Sequence, residues 1–261
     1  MKEILDHTLQ SSEAALWWLG QAGYIIKSSG QVVVIDPYLS DSANGGVPGF
    51  SRAVPVPLQP EELKADIYIV THDHLDHLDP ETIGGYRYKN NTTFIAPRLA
   101  AKKLHSLGIP AGNMLVVNAG DNVTVNSITV TGVFALPTGK DVIDTTGYLI
   151  QFPNGRTVYH TSDTQFHPIV LEAAPSNPDI MLVPINGKWK NTNAEEAALF
   201  AKAVQPRYVM PNHYDMMPLN AENPEVFAWF CEHHDLPGKC IIQEHYHPFT
   251  WKEVNDSSNN N

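Results

Sequence analysis

Short apolar, β-branched runs alternate with turn signals along the chain, and helical patterns fall between them. Residues 15–19 and 24–27 flank Gly20-Gln21-Ala22-Gly23 and read as a hairpin, followed by a strand over 32–35. Residues 41–60 are rich in Gly, Pro and Ser without periodicity, so they form a long loop, either a lid over a site or a surface excursion. A strand over 67–70, a short helix from Pro80 and a strand over 93–96 follow. A helix over 98–107 stops at Gly108 and Pro110. Strands over 114–117, 122–125 and 128–136 complete a first half, residues 1–136.

The second half, 137–254, opens with strands over 147–152 and 156–161 joined by Pro153-Asn154-Gly155. A helix near 168–174, a strand over 180–183 and a helix over 194–204 come next. Thr192 with Glu195, or Asn193 with Glu196, caps that last helix. A strand over 208–210, a helix begun by Pro224 and strands over 239–243 and 249–251 close the pattern. The polar tail, 255–261, reads as disordered. The pattern alone establishes an α/β chain with more than one sheet, folded as a single domain of two halves.

The chemistry gathers where the 67–70 strand ends. His72-Asp73-His74-Leu75-Asp76-His77 puts three imidazoles and two carboxylates into six positions, and Leu78-Asp79-Pro80 then starts a helix. If His72 and His74 are still extended, alternation sends both side chains to one face, where they can grip one ion. A turn after them would swing Asp76 and His77 toward a second position. Mixed imidazole and carboxylate donors suit zinc, manganese or iron better than calcium or magnesium. With twelve histidines in the chain, the bland alternative is a solvated His-rich loop.

These residues resemble the metallo-β-lactamase superfamily, whose hallmark is an H-x-H-x-D-H run after a strand. The order of the remaining segments agrees. Val34-Ile35-Asp36-Pro37 is similar to an early family strand ending in Asp-Pro. Tyr159-His160-Thr161-Ser162-Asp163 is similar to the strand whose last Asp bridges the metals, and Met210-Pro211-Asn212-His213 to the strand delivering the last His. The resemblance covers about residues 15 to 251 and is nearest the branch of L-ascorbate-6-phosphate lactonase. It implies a four-layer αβ/βα sandwich of two packed mixed β-sheets with helices on the outer faces. It also implies metal ligation by His72, His74, Asp76, His77, Asp163 and His213.

One position departs from the family pattern. Pro137 stands where most members carry a ligand His after the 128–136 strand, which leaves the first metal position one ligand short. One divalent ion, Mn2+ or Zn2+, is therefore expected over two. Asp141 or Asp144 could fill the gap or simply turn the loop. Asp76 could ligate or act as the catalytic base, and Asp163 could also cap a helix. Substrate contacts are expected from Asn186 and Lys188 in the 184–191 loop and from Tyr214 beside His213. The structural alternative for that loop is a solvated lysine pair with a packing Trp. His245 and His247 could line the same rim. His160 could support the Asp163 strand end.

Composition narrows the reaction. A net charge of −11 argues against a nucleic-acid partner, because phosphate binding needs a cationic surface. No apolar run approaches the roughly 20 residues of a membrane span, and no signal-like stretch opens the chain, so a cytoplasmic protein is expected. Cys231 and Cys240 have no metal spacing and read as buried small hydrophobes. The chain is expected to be a lactonase-like, metal-dependent hydrolase acting on a lactone or other ester of a small, anionic, sugar-like molecule. Alternatives are a phosphodiesterase-type hydrolase or an iron-dependent oxidoreductase on the same scaffold. Homo-oligomers are common in the branch resembled.

Overall fold

A computed structural model describes residues 1–252; the tail over 255–261 lies outside the described residues. The chain first builds β1 (Glu13–Gly20), β2 (Gly23–Ser28), β3 (Gln31–Ile35), β4 (Ile67–Ile69), β5 (Thr93–Ala96) and β6 (Met114–Val116) into one sheet. It then lays down β7 (Asn122–Val125), β8 (Ile128–Phe134), β9 (Thr146–Gln151), β10 (Thr157–His160), β11 (Ile180–Pro184), β12 (Tyr208–Asn212) and β13 (Lys239–Cys240) as a second. The last strand, β14 (Pro248–Lys252), crosses back and pairs antiparallel with β1. The division into halves therefore falls between β6 and β7, not at 136/137. β8 runs antiparallel to both β7 and β9, so it must share their sheet. The end of the 239–243 run also differs, since only Lys239 and Cys240 pair with β12.

Side-chain alternation builds the layers. In the first sheet Leu16, Trp18, Ile26, Ile35 and Ile69 point into a core shared with the second sheet. Their neighbours Ala15, Trp17, Ile25, Val34 and Tyr68 point the other way. There they meet Ile4 of α1 (Lys2–Asp6), Ile83 of α2 (Pro80–Gly85) and Leu104 of α3 (Arg98–Ser106). The second sheet is covered by α4 (Pro168–Ala173), α5 (Ala194–Val204) and α6 (Pro224–His233), through Val170, Phe200 and Phe227. The result is the four-layer αβ/βα sandwich. Strands buried on both faces have to be near-continuous apolar runs, as β1 and β11 are. Among the described residues no helix is long and apolar enough to cross a membrane.

The parallel strands set the site. β3, β4 and β5 run parallel in one sheet, and β10, β11 and β12 in the other. Their carboxyl ends open toward one another along the same edge of the sandwich, where ligands of open α/β sheets generally bind.

Candidate metal centre

Each donor follows a strand end directly. β4 stops at Ile69, and the histidine run turns from His74 onward: both His77 and Leu78 donate backbone N–H groups to the His74 carbonyl, at 3.1 and 2.7 Å. The turn thus begins at His74, after the His72–His74 pair, and carries Asp76 and His77 to a separate position. Within the pair, His72 Nε2 lies 2.9 Å from His74 Nδ1. Asp163 follows β10, and His213 follows β12.

All six expected ligands converge in two groups. His72, His74 and Asp163 form one and Asp76, His77 and His213 the other, with donor atoms inside each group within 4.8 Å of one another. Asp163 also reaches the second group. His77 Nε2 is 3.5 Å from Asp163 Oδ1 and 3.7 Å from Asp76 Oδ2, while His213 Nε2 is 3.4 Å from Asp163 Oδ2 and 3.2 Å from Asp76 Oδ2. Tetrahedral ligands about 2.1 Å from zinc sit about 3.4 Å apart. His77 Nε2 and Asp163 Oδ1 are buried without a hydrogen-bond partner, a costly state that a shared cation relieves. The residues fit a divalent metal.

The back of each ring is pinned so that the other nitrogen faces the centre. His77 Nδ1–H donates to Asp36 Oδ2 at 2.7 Å; Asp36 also accepts from the Thr71 N–H (2.8 Å) and hydroxyl (2.6 Å). Behind His213 runs a pair of buried amides. Asn186 Nδ2 donates to Asn220 Oδ1 at 2.5 Å, and Asn220 Nδ2 lies 2.6 Å from His213 Nδ1. Gln21 Nε2 donates to Asp76 Oδ2 at 2.8 Å. His160 accepts the Ser162 N–H at Nδ1 (3.0 Å), and its Nε2 meets the Ala22 carbonyl at 2.9 Å, joining the Gln21 turn to the Asp163 loop. Gln21, Asp36, Ser162 and His213 all have φ between +44 and +63. Left-handed backbone at four non-glycine residues around one site is stored strain of the kind the surrounding packing must hold.

Charge follows the same geometry. Burial alone would raise the Asp76 carboxyl, but His77 and His213 beside it hold it well below the usual carboxylate range. Asp163 is likewise lowered against its burial by His213 and His77. Burial disfavours charge on His77, yet Asp76, Asp163 and Asp36 together push its pKa well up, and Asp163 and Asp76 raise that of His213. His72 goes the other way, because burial and His77 keep it neutral.

The remaining expectations divide. Pro137 offers no donor, and its carbonyl accepts from Gln165 Nε2 at 2.5 Å. Asp141 stands behind the His74 ring, with Oδ1 3.3 Å from Nε2, so it orients that imidazole and does not take the place of a missing ligand. Asp144 accepts the Leu99 N–H at 2.8 Å, in the first turn of α3. A cavity of about 330 Å3 opens on Asp76, Asp163 and His213, and Lys188 lines it. Asn186 is buried behind Asn220 and does not reach the cavity. The left-handed turn at His213 carries Tyr214 back into the core, against Trp18 at 5.1 Å between rings. His245 stacks on Trp18 at 4.3 Å and lies 3.2 Å from Asp215, and His247 is exposed beside Glu244. The sequence signals three further functional residues only weakly or not at all: Asp36 ends the Val34-Ile35-Asp36 strand and Gln21 sits in a turn, whereas Asn220 carries no local signal.

The Beta-lactamase superfamily domain profile matches residues 15–213. A UPF0173 metal-dependent hydrolase of Archaeoglobus fulgidus is 32% identical over 220 residues, 80% of this chain and 87% of that protein. One from Myxococcus xanthus is 29% identical over 224 residues, 81% of this chain and 74% of that one. Among solved structures, the metallo hydrolase Igni18 of Ignicoccus hospitalis KIN4/I has a TM-score of 0.75 at 22% identity, covering 93% of this chain and all of that one. An isothiocyanate hydrolase from Delia radicum gut bacteria has a TM-score of 0.74 at 16% identity, covering 91% and 99%. At such identity the two structures speak for the fold alone.

Proposed function

The chain belongs to the β-lactamase superfamily, and on that footing we propose that it is a metal-dependent hydrolase that opens a lactone or other ester of a small anionic molecule. The observation that carries this reading is the ring of donors from three strand ends, Asp76, His77, Asp163 and His213, spaced 3.2–3.7 Å, two of whose donor atoms are buried without a hydrogen-bond partner. That set holds the more complete position. His72, His74 and a share of Asp163 make a weaker second one beside Pro137. Mn2+ or Zn2+ is the proposed occupant, one ion binding tightly.

A divalent cation held there supplies Lewis acidity, polarising a carbonyl and bringing a water's pKa from 15.7 toward about 7. Asp76, on the cavity wall and fixed by Gln21, is placed to take a proton from the attacking water. Water adds across the acyl C–O bond, and the products are a carboxylic acid and an alcohol. Among the described residues Lys188 is the one lysine or arginine on the wall, which supports a single anionic group on the substrate. The wall gives less support to a sugar, because much of it is apolar. Chelator-stripped protein, with and without Mn2+ or Zn2+, tested on panels of lactones, carboxylic esters and phosphodiesters, checks the reading. Metal-restored turnover of lactones or esters is the expected result. Turnover of phosphodiesters alone, or activity indifferent to metal, contradicts it.

A further inference from the structure

The loop over 41–60 and the 187–191 loop meet above the metal-ligand cluster, and beside Lys188 and Asn191 what they bring is apolar. Phe50 and Trp189 stack at 5.7 Å between ring centroids with 29° between planes. Val47, Leu75 and Met217 join them around the cavity that also holds Asp76, Asp163 and His213. Trp189 and Val47 each keep 49% of their surface exposed, although both are large apolar side chains beside a well-filled core. The backbone at Trp189 and Lys190 is left-handed, φ +50 and +76, unfavourable for long side chains. This strained turn is held by the Gly139 N–H donating to the Trp189 carbonyl at 3.1 Å. A strained turn that presents a half-exposed indole to a catalytic cavity is there for something that enters the cavity.

We propose that this bay, built on Phe50 and Trp189, binds an apolar alkyl or aryl group of the substrate, while Lys188 takes the anionic group. The natural substrate is then an amphiphilic ester or lactone. The inference rests on the hydrolase reading for the word substrate, and on the cavity alone for the binding of apolar groups. The two parts of the bay come from opposite halves of the chain, so occupancy also bridges them.

Two readouts test it. The first takes whichever of lactones or esters turns over and extends its acyl chain from one to six carbons. Burial of each methylene predicts kcat/KM rising about two- to fourfold per carbon. Trp189→Ala and Phe50→Ala should flatten that slope, so that the loss against wild type grows with each added carbon. The second readout needs no turnover: indole fluorescence of the metal-loaded protein, titrated with butyrate, hexanoate, octanoate and phenylacetate. Affinity should rise with chain length, and Lys188→Ala should weaken all four acids alike. A flat slope in wild type with the shortest substrate still hydrolysed overturns the bay and leaves the hydrolase. No turnover in any class, with the chain-length dependence of binding intact, overturns the hydrolase and supports the bay.

Discussion

At the residue scale, Asp76 and Asn220 contribute in different ways. Asp76 faces His77 and His213 and is held ionised despite its burial. Asp76→Asn keeps the shape and removes the charge, so turnover should fall by about 10²–10⁴-fold with circular dichroism unchanged. Persistence of full activity would remove Asp76 from the chemistry. Asn220 touches no carboxylate of the centre; it braces His213 from behind at 2.6 Å. Asn220→Leu should therefore weaken metal affinity by about 10–100-fold, read by calorimetry, with the metal-saturated rate much less affected. An equal loss of rate at saturating metal would assign Asn220 a more direct part. The ligands were legible in the sequence because they sit within a few residues of strand ends. Asn220 was not, and Asn186 was legible only as an expected substrate contact, since the bracing role of both exists only once two distant loops fold together.

Elements were legible to the extent that burial shaped their composition. β1, β4 and β11 carry apolar runs that can only be interior strands. The Asn193/Glu196 capping box starts α5 as the spacing implies. Loop 41–60 offered no periodicity, and its order comes from polar contacts and a small core of its own. Asp41 accepts from Ser51 Oγ at 2.9 Å and the Arg52 N–H at 2.7 Å, and Tyr38, Met216 and Met217 form the packing beneath. The Leu219 N–H donates to the Gly49 carbonyl and that of Ala53 to Met216, tying the loop to the stretch after His213. Asp41→Ala should leave global stability within about 1 kcal/mol while making residues 41–52 the first site of limited proteolysis. KM should rise with it. Unchanged cleavage would mean that the loop is held by the satellite core alone.

For the whole molecule, the centre couples protonation to stability. In metal-free protein the pKa values of His77 and His213 are raised by the carboxylates around them. Their contribution is fully present below the unfolded imidazole value of about 6.5 and is lost as pH rises through the raised folded values. Metal binding has the opposite sign, because it needs these imidazoles neutral. The Tm gap between metal-loaded and metal-free protein should therefore widen from about pH 6 to about pH 9. A gap that narrows over that range would mean that the two histidines are not ligands. Placement of the halves was only partly legible: β14 returns to the first sheet through a pairing that no local pattern encodes.

The most direct measurement is calorimetric titration of Zn2+ and of Mn2+ into chelator-stripped protein, beside His77→Ala and His213→Ala. The account predicts one tightly held equivalent in the wild type, weakened by about 100-fold or more in each variant. Wild-type protein that takes up neither ion, or variants that bind as tightly as it does, would contradict it.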